Sequence, residues 1–94
     1  MVITLAELKT HLRVQHNDED VYLESLIRQG QAAAEDFCRV TFTDPVPEPV
    51  RLAVLLMCAH YYENRDNPDK QMYLAMRIAF ENLLYPHRAV DKMF

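Results

Sequence analysis

Apolar residues recur at helical spacing through most of this chain. Leu5, Leu8 and Leu12 follow Thr4-Leu5-Ala6-Glu7, which has the form of a capping box. In such a box the hydroxyl accepts from the N–H three residues on, and the glutamate reaches back. The spacing predicts a short helix from Thr4 to about Arg13. Asn17-Asp18-Glu19-Asp20 then opens a second helix, its acidic first turn suited to the positive end of the helix dipole. Leu23, Ile27, Gly30, Ala34 and Cys38 form its apolar stripe, widened by Tyr22, Leu26, Ala33 and Phe37. Glu24 with Arg28 and Glu35 with Arg39 sit four apart on the opposite face and read as ion pairs. Gly30 is the single glycine of the chain. Mid-helix it is less favourable than alanine by about 1 kcal/mol, so Gly30, Ala33 and Ala34 predict a closely crossing helix.

Val40-Thr41-Phe42-Thr43 is β-branched and aromatic and reads as a brief extended segment. A lone short strand is unstable, so it calls for a partner, such as the same segment of a neighbour. Asp44-Pro45-Val46-Pro47-Glu48-Pro49 is a stiff crossover. Pro49 suits the first turn of a third helix running to Arg65. From Leu52 to Tyr62 that helix carries no formal charge. A surface helix would show a polar stripe. This one therefore needs cover on nearly all sides, as the centre of a bundle or through a second subunit. Asp66-Asn67-Pro68-Asp69 is a turn. A fourth helix follows from about Asp69 to Leu84, its stripe read as Met72, Met76, Ala79, Phe80, Leu83 and Leu84, and Pro86 ends it. The fold class is all-α: a small bundle of about four helices, with a short extended segment and a Pro-rich crossover between the second and third. The chain reads as one helical domain, 1–94, with 85–94 as a C-terminal tail.

Composition narrows the function. The 94 residues carry a net charge of −4, so free nucleic acid is a poor default partner. Cys38 and Cys58 lie among apolar neighbours with no CxxC pair, and read as reduced, buried thiols of a cytosolic protein. The Leu52–Tyr62 run falls short of the ~20 apolar residues a bilayer requires, and no membrane partner is expected. Ser25 is the only serine and lies mid-helix, away from any strained elbow. Cys58 and His60 point to different sides of their helix, which does not suit a nucleophile and its base. Together with His11, His16 and His87 they match no zinc spacing. The acidic groups at 17–20 and 66–69 lack the order of a calcium loop and read as helix caps. No enzyme and no cofactor are expected. A helix-turn-helix reading of the third and fourth helices is weak. Lys70, Gln71, Arg77 and Asn82, with Glu81 against them, look like an ordinary solvated face.

Three landmarks together resemble a known family. The first is Ile3-Thr4-Leu5-Ala6-Glu7-Leu8-Lys9-Thr10-His11-Leu12-Arg13 with Asp18-Glu19-Asp20 and Tyr22-Leu23. The second is Leu26-Ile27 with Ala32-Ala33-Ala34-Glu35 and Phe37-Cys38. The third is Pro49 at the start of the third helix and His60-Tyr61-Tyr62-Glu63-Asn64-Arg65 at its end. In order and spacing they resemble the head–tail connector (adaptor, head-completion) proteins of long-tailed double-stranded DNA phages.

The resemblance implies a structural role in the virion, with assembly in the host cytoplasm. Such proteins form a ring, usually of twelve subunits, below the portal protein. The ring extends the channel through which packaged DNA passes without sequence-specific binding, and it offers a platform for the next joining or tail protein. Tyr61, Tyr62, Glu63, Asn64 and Arg65 carry two readings. In one, Tyr61 and Tyr62 complete the core while Glu63 or Arg65 pairs internally and caps the turn. In the other, Glu63 and Arg65 form an inter-subunit ion pair. Glu24, Arg28, Glu35 and Arg39 are candidates for a ring-contact face. His87, Arg88, Lys92 and Phe94 belong to the tail, which in such adaptors often engages the portal, though it is short here. The alternative from another class is a cytosolic helical regulator that binds DNA or protein as a dimer.

Overall fold

A computed structural model describes residues 2–43, 45–66 and 68–89. Four helices occur in the expected order: α1 Leu5–Leu12, α2 Asp20–Cys38, α3 Glu48–Glu63 and α4 Lys70–Leu84, with a 3-10 turn at Tyr85–His87. No strand occurs among the described residues.

Local chemistry accounts for most helix ends. Thr4 Oγ1 accepts from the Glu7 N–H at 3.1 Å, and Glu7 Oε1 accepts from the Thr4 N–H at 2.9 Å, completing the capping box. Ile3 and Leu8, both fully buried, hold the two staple positions around that cap. Asp69 caps α4 by accepting from the N–H groups of Gln71 and Met72. α1 and α2 end at Arg13 and Arg39, both left-handed with φ of 61° and 58°. Glycine is the common residue at such ends.

α3 is the central helix. It packs extensively against both α2 and α4, which touch each other less. Val50, Ala53, Val54, Met57 and Cys58 are buried in it, so most of the cover its charge-free run needs comes from its own chain. Leu52 alone of the large apolar residues in α3 stays exposed. The closest crossing is at Gly30, where a Cβ would stand 3.1 Å from Val54 Cγ1 and 3.4 Å from Cys58 Sγ. α2 and α3 run antiparallel: Cys58 Sγ lies 3.3 Å from the Leu26 carbonyl, and Tyr62 reaches Glu19. The molecule measures 49 × 32 × 17 Å. α1 packs against both α2 and α3. α2 and α4 each pack on α3 and meet each other at Cys38 and Leu84, where Cys38 Sγ lies 3.6 Å from the Leu84 carbonyl.

Several expectations are corrected. The acidic residues at 17–20 do not cap α2, because Glu19 makes no side-chain cap bond. Lys9 Nζ instead gathers Asn17 Oδ1 at 2.6 Å and Asp20 Oδ1 at 2.8 Å, tying α1 to the start of α2. Glu24 does not pair with Arg28, nor Glu35 with Arg39. The first two are exposed to competing water. Arg39 lies past the helix end, and Glu35 Oε2 accepts from the Phe42 N–H at 3.0 Å. That bond also gives the 40–43 segment its polar partner within the chain, where a strand was expected. In α4, Met76, Phe80 and Leu84 are buried, but Met72 and Ala79 are exposed.

The outward side of α4 differs most from expectation. Leu74, Ile78 and Tyr85 are 49%, 62% and 66% exposed. At 3.6 residues per turn they fall within about 40° of one another, roughly opposite Phe80. The helix carries an apolar line pointing away from its own core, not an ordinary polar face.

Candidate functional site

The end of α3 and the turn after it meet the start of α2. Asn64 terminates α3: its N–H and its Nδ2 both donate to the His60 carbonyl, at 3.0 and 2.9 Å. The chain then places Arg65 beside Glu19, where a guanidinium nitrogen donates to Oε2. Tyr62 OH donates to Oε1 of the same carboxylate at 2.7 Å. The Arg65 guanidinium lies 4.6 Å from the Tyr62 ring centroid and 5.4 Å from that of Tyr22, a cation–π arrangement. The Tyr62 hydroxyl, and then the Arg65 cation, hold the Glu19 carboxyl below its ordinary range. The same hydrogen bond pushes the Tyr62 phenol up.

Beside this cluster opens a cleft of about 570 Å³ between α2 and the α3–α4 turn. Tyr22, His60, Tyr61 and Tyr73 supply aromatic walls, and Arg65, Asp69 and Lys70 a charged rim. His60 and Tyr73 rings stand 6.0 Å apart, and Tyr61 and Tyr73 rings 6.5 Å. Burial, and then the neighbouring Tyr73, raise the Tyr61 hydroxyl's pKa. No group of residues suited to holding a metal ion occurs among the described residues.

The five residues singled out at the end of α3 are brought together, with distinct tasks. Tyr61 lines the cleft, Tyr62 and Arg65 hold Glu19, Asn64 caps the helix, and Glu63 faces solvent. The intramolecular partner of Arg65 is Glu19, which sequence reasoning assigned to a helix cap. Forty-six positions separate the two, so no local spacing marks the pair.

Of the α2 charges, Glu24, Arg28 and Arg39 are exposed, and Glu35 is partly turned inward toward Phe42. Of the tail residues, His87 and Arg88 fold back against the bundle. The Ala89 N–H donates to the Cys38 carbonyl at 2.7 Å, and Arg88 stands 4.9 Å over the Phe37 ring. Lys92 and Phe94 lie outside the described residues. Both cysteines are free and buried. Burial pushes the Cys58 thiol up to about 12, and raises that of Cys38.

Comparison with curated proteins returns no match, and comparison with solved structures returns none. A family model described as phage gp6-like head-tail connector protein matches residues 2–88. The match runs from the buried residue ahead of the α1 cap to the Arg88 that closes over α2, and this chain belongs to the phage gp6-like head–tail connector family, a structural family of the phage virion.

Proposed function

We propose that this protein completes the phage head by forming a ring under the portal, joining the head to the next connector or to the tail. The observation that carries the reading is the pair of outward faces on α2 and α4. α4 turns outward an apolar line of Leu74, Ile78 and Tyr85, whereas α2 turns outward Glu24, Arg28 and Arg39. Rings need such heterologous contacts, whereas a two-fold dimer uses one face twice.

In this reading Glu24, Arg28, Glu35 and Arg39 belong to the α2 contact face. Tyr61, Tyr62, Asn64 and Arg65 shape the cleft end of the subunit, with Glu63 available to a neighbour. His87, Arg88, Lys92 and Phe94 contribute toward the portal. The net charge of −4 suits a channel through which DNA slides without adhering. The ring acts by positioning and carries out no catalysis.

The test is electron microscopy of lysates after deletion of this gene from its parent phage. Tailless heads beside free tails, with tailed particles restored by complementation, are expected. Tailed virions in normal yield would overturn the connector role and favour a regulator.

A further inference from the structure

We infer that the outward face of α4 in one copy seats on the outward face of α2 in the next, with Tyr85 entering a concavity at Ala32 and Glu81 meeting Arg28. This rests on the ring reading above and names the surfaces that make it.

Four observations converge on this contact. The line Leu74, Ile78, Tyr85 is exposed and directed away from the core. Single exposed apolar residues need no explanation, but three on one helical line do. On α2 the line opposite the core runs Val21, Ser25, Arg28, Ala32. Both lines follow the same spacing, with Glu81 at the place in α4 that Arg28 holds in α2.

Second, size is complementary. Large side chains on α4 face small ones on α2: Ile78 against Ser25, and Tyr85 against Ala32. A concavity of about 140 Å³, lined by Arg28, Gln31, Ala32 and Glu35, lies on that α2 face. Val21, 79% exposed, extends the apolar part toward Leu74.

Third, charge is complementary. Arg28 is exposed and pairs with no carboxylate among the described residues. Glu81 bonds Arg77 Nε at 2.9 Å through one oxygen and stays 41% exposed, so it retains acceptor capacity for a second guanidinium. An interface of standard size buries ~800 Å² per partner, with an apolar centre and a polar rim. The α4 line supplies such a centre, and the charges of α2 the rim.

Fourth, the geometry permits closure. α2 and α4 run parallel: Tyr22 and Tyr73 line one cleft at their N-terminal ends, and Cys38 Sγ lies 3.6 Å from the Leu84 carbonyl at the other. The two faces thus start at nearly the same height. A contact pairing Val21 with Leu74 relates copies by rotation with little rise, as a closed ring requires and a helical filament does not.

The test uses virions made by complementing the gene deletion with Ser25→Cys/Ile78→Cys. A short bis-maleimide should give a ladder of multimers from the double variant and none from either single variant. Cys38 and Cys58 are buried and do not compete. Dimers from Ile78→Cys alone, or tailed particles in which the double variant stays uncrosslinked, would overturn the contact while leaving the connector role standing. Ile78→Glu supplies the second measure. It should keep the wild-type unfolding curve yet lose tailed particles at least tenfold. Normal yield from it would overturn the contact too. Failure of the connector role itself shows earlier, as tailed virions from the deletion alone.

Discussion

Arg65 and Glu19 close the open end of the bundle, the guanidinium bonded to the carboxylate and lying 4.6 Å over the ring of Tyr62, whose hydroxyl binds the same carboxylate. One carboxylate thereby joins the start of α2 to the end of α3. The pair is partly exposed, so water and salt weaken it. Its task is to hold the cleft in shape more than to hold the fold together. Arg65→Ala should leave a folded chain with a cleft end more open to hydrogen exchange. An unfolded product would show that the pair carries the fold itself.

The same cluster sets a pH dependence. The Glu19 carboxyl is depressed by the Tyr62 hydroxyl and by Arg65. Its contribution to stability is therefore present above the ordinary glutamate value of about 4.3, and is lost as pH falls through the depressed one. Glu19→Gln should flatten the acid limb of a stability-versus-pH curve measured by urea unfolding. An unchanged limb would show that other carboxylates dominate it.

Gly30 is expected to tolerate alanine and little more. Alanine gains about 1 kcal/mol of helix propensity, but its Cβ would stand 3.1 Å from Val54 Cγ1 and requires that side chain to move by a few tenths of an ångström. The two effects offset, and Gly30→Ala should change stability by less than about 1 kcal/mol. Gly30→Leu should lose about 1–3 kcal/mol or more through overpacking. Denaturant midpoints for the pair of variants check this. A harmless Gly30→Leu would mean that α3 does not cross there.

Cys58 should be chemically silent in the folded protein. With its thiol raised to about 12, almost no thiolate exists at neutral pH. Alkylation at pH 8 should label Cys58 only after unfolding. The sign at high pH follows from the same shift. An unfolded thiol ionises near 8.5, so this group makes stability fall as pH rises from about 8.5 toward the folded value. Rapid labelling of the native chain would contradict the burial.

The left-handed ends of α1 and α2 offer a gain. Arg13 and Arg39 hold φ values of 61° and 58°, a conformation unfavourable by roughly 1–2 kcal/mol for residues with a Cβ. Arg13→Gly should raise stability by about 0.5–1 kcal/mol, after allowance for the looser unfolded chain. Arg39→Gly should do the same, while removing a charge from the proposed contact face. Thermal unfolding measures both, and a drop would mean that the arginine side chains make contacts worth more than the strain.

Much of the fold follows from local patterns. The Thr4 capping box, the Asp69 cap and the α2 stripe each arise from interactions within a few residues, or from a periodicity that one helix imposes. The sequence by itself therefore determined the four helices and their order, and that α3 needs cover on nearly all sides. Packing decided that α3 draws most of this cover from its own chain. The landmark residues at its end also carried the resemblance to head–tail connectors. Other features were decided only in three dimensions. Glu19 and Asp20 look like cap residues, yet they bind Arg65 and Lys9, because those cations arrive from other helices. Met72 and Ala79 share a helical stripe with Phe80, but α4 turns its narrower Met76–Phe80–Leu84 side to α3. That rotation leaves Leu74, Ile78 and Tyr85 outward. Periodicity says that a helix has an apolar side. Packing against a neighbour decides which apolar residues are spent inside the subunit and which remain for the next one.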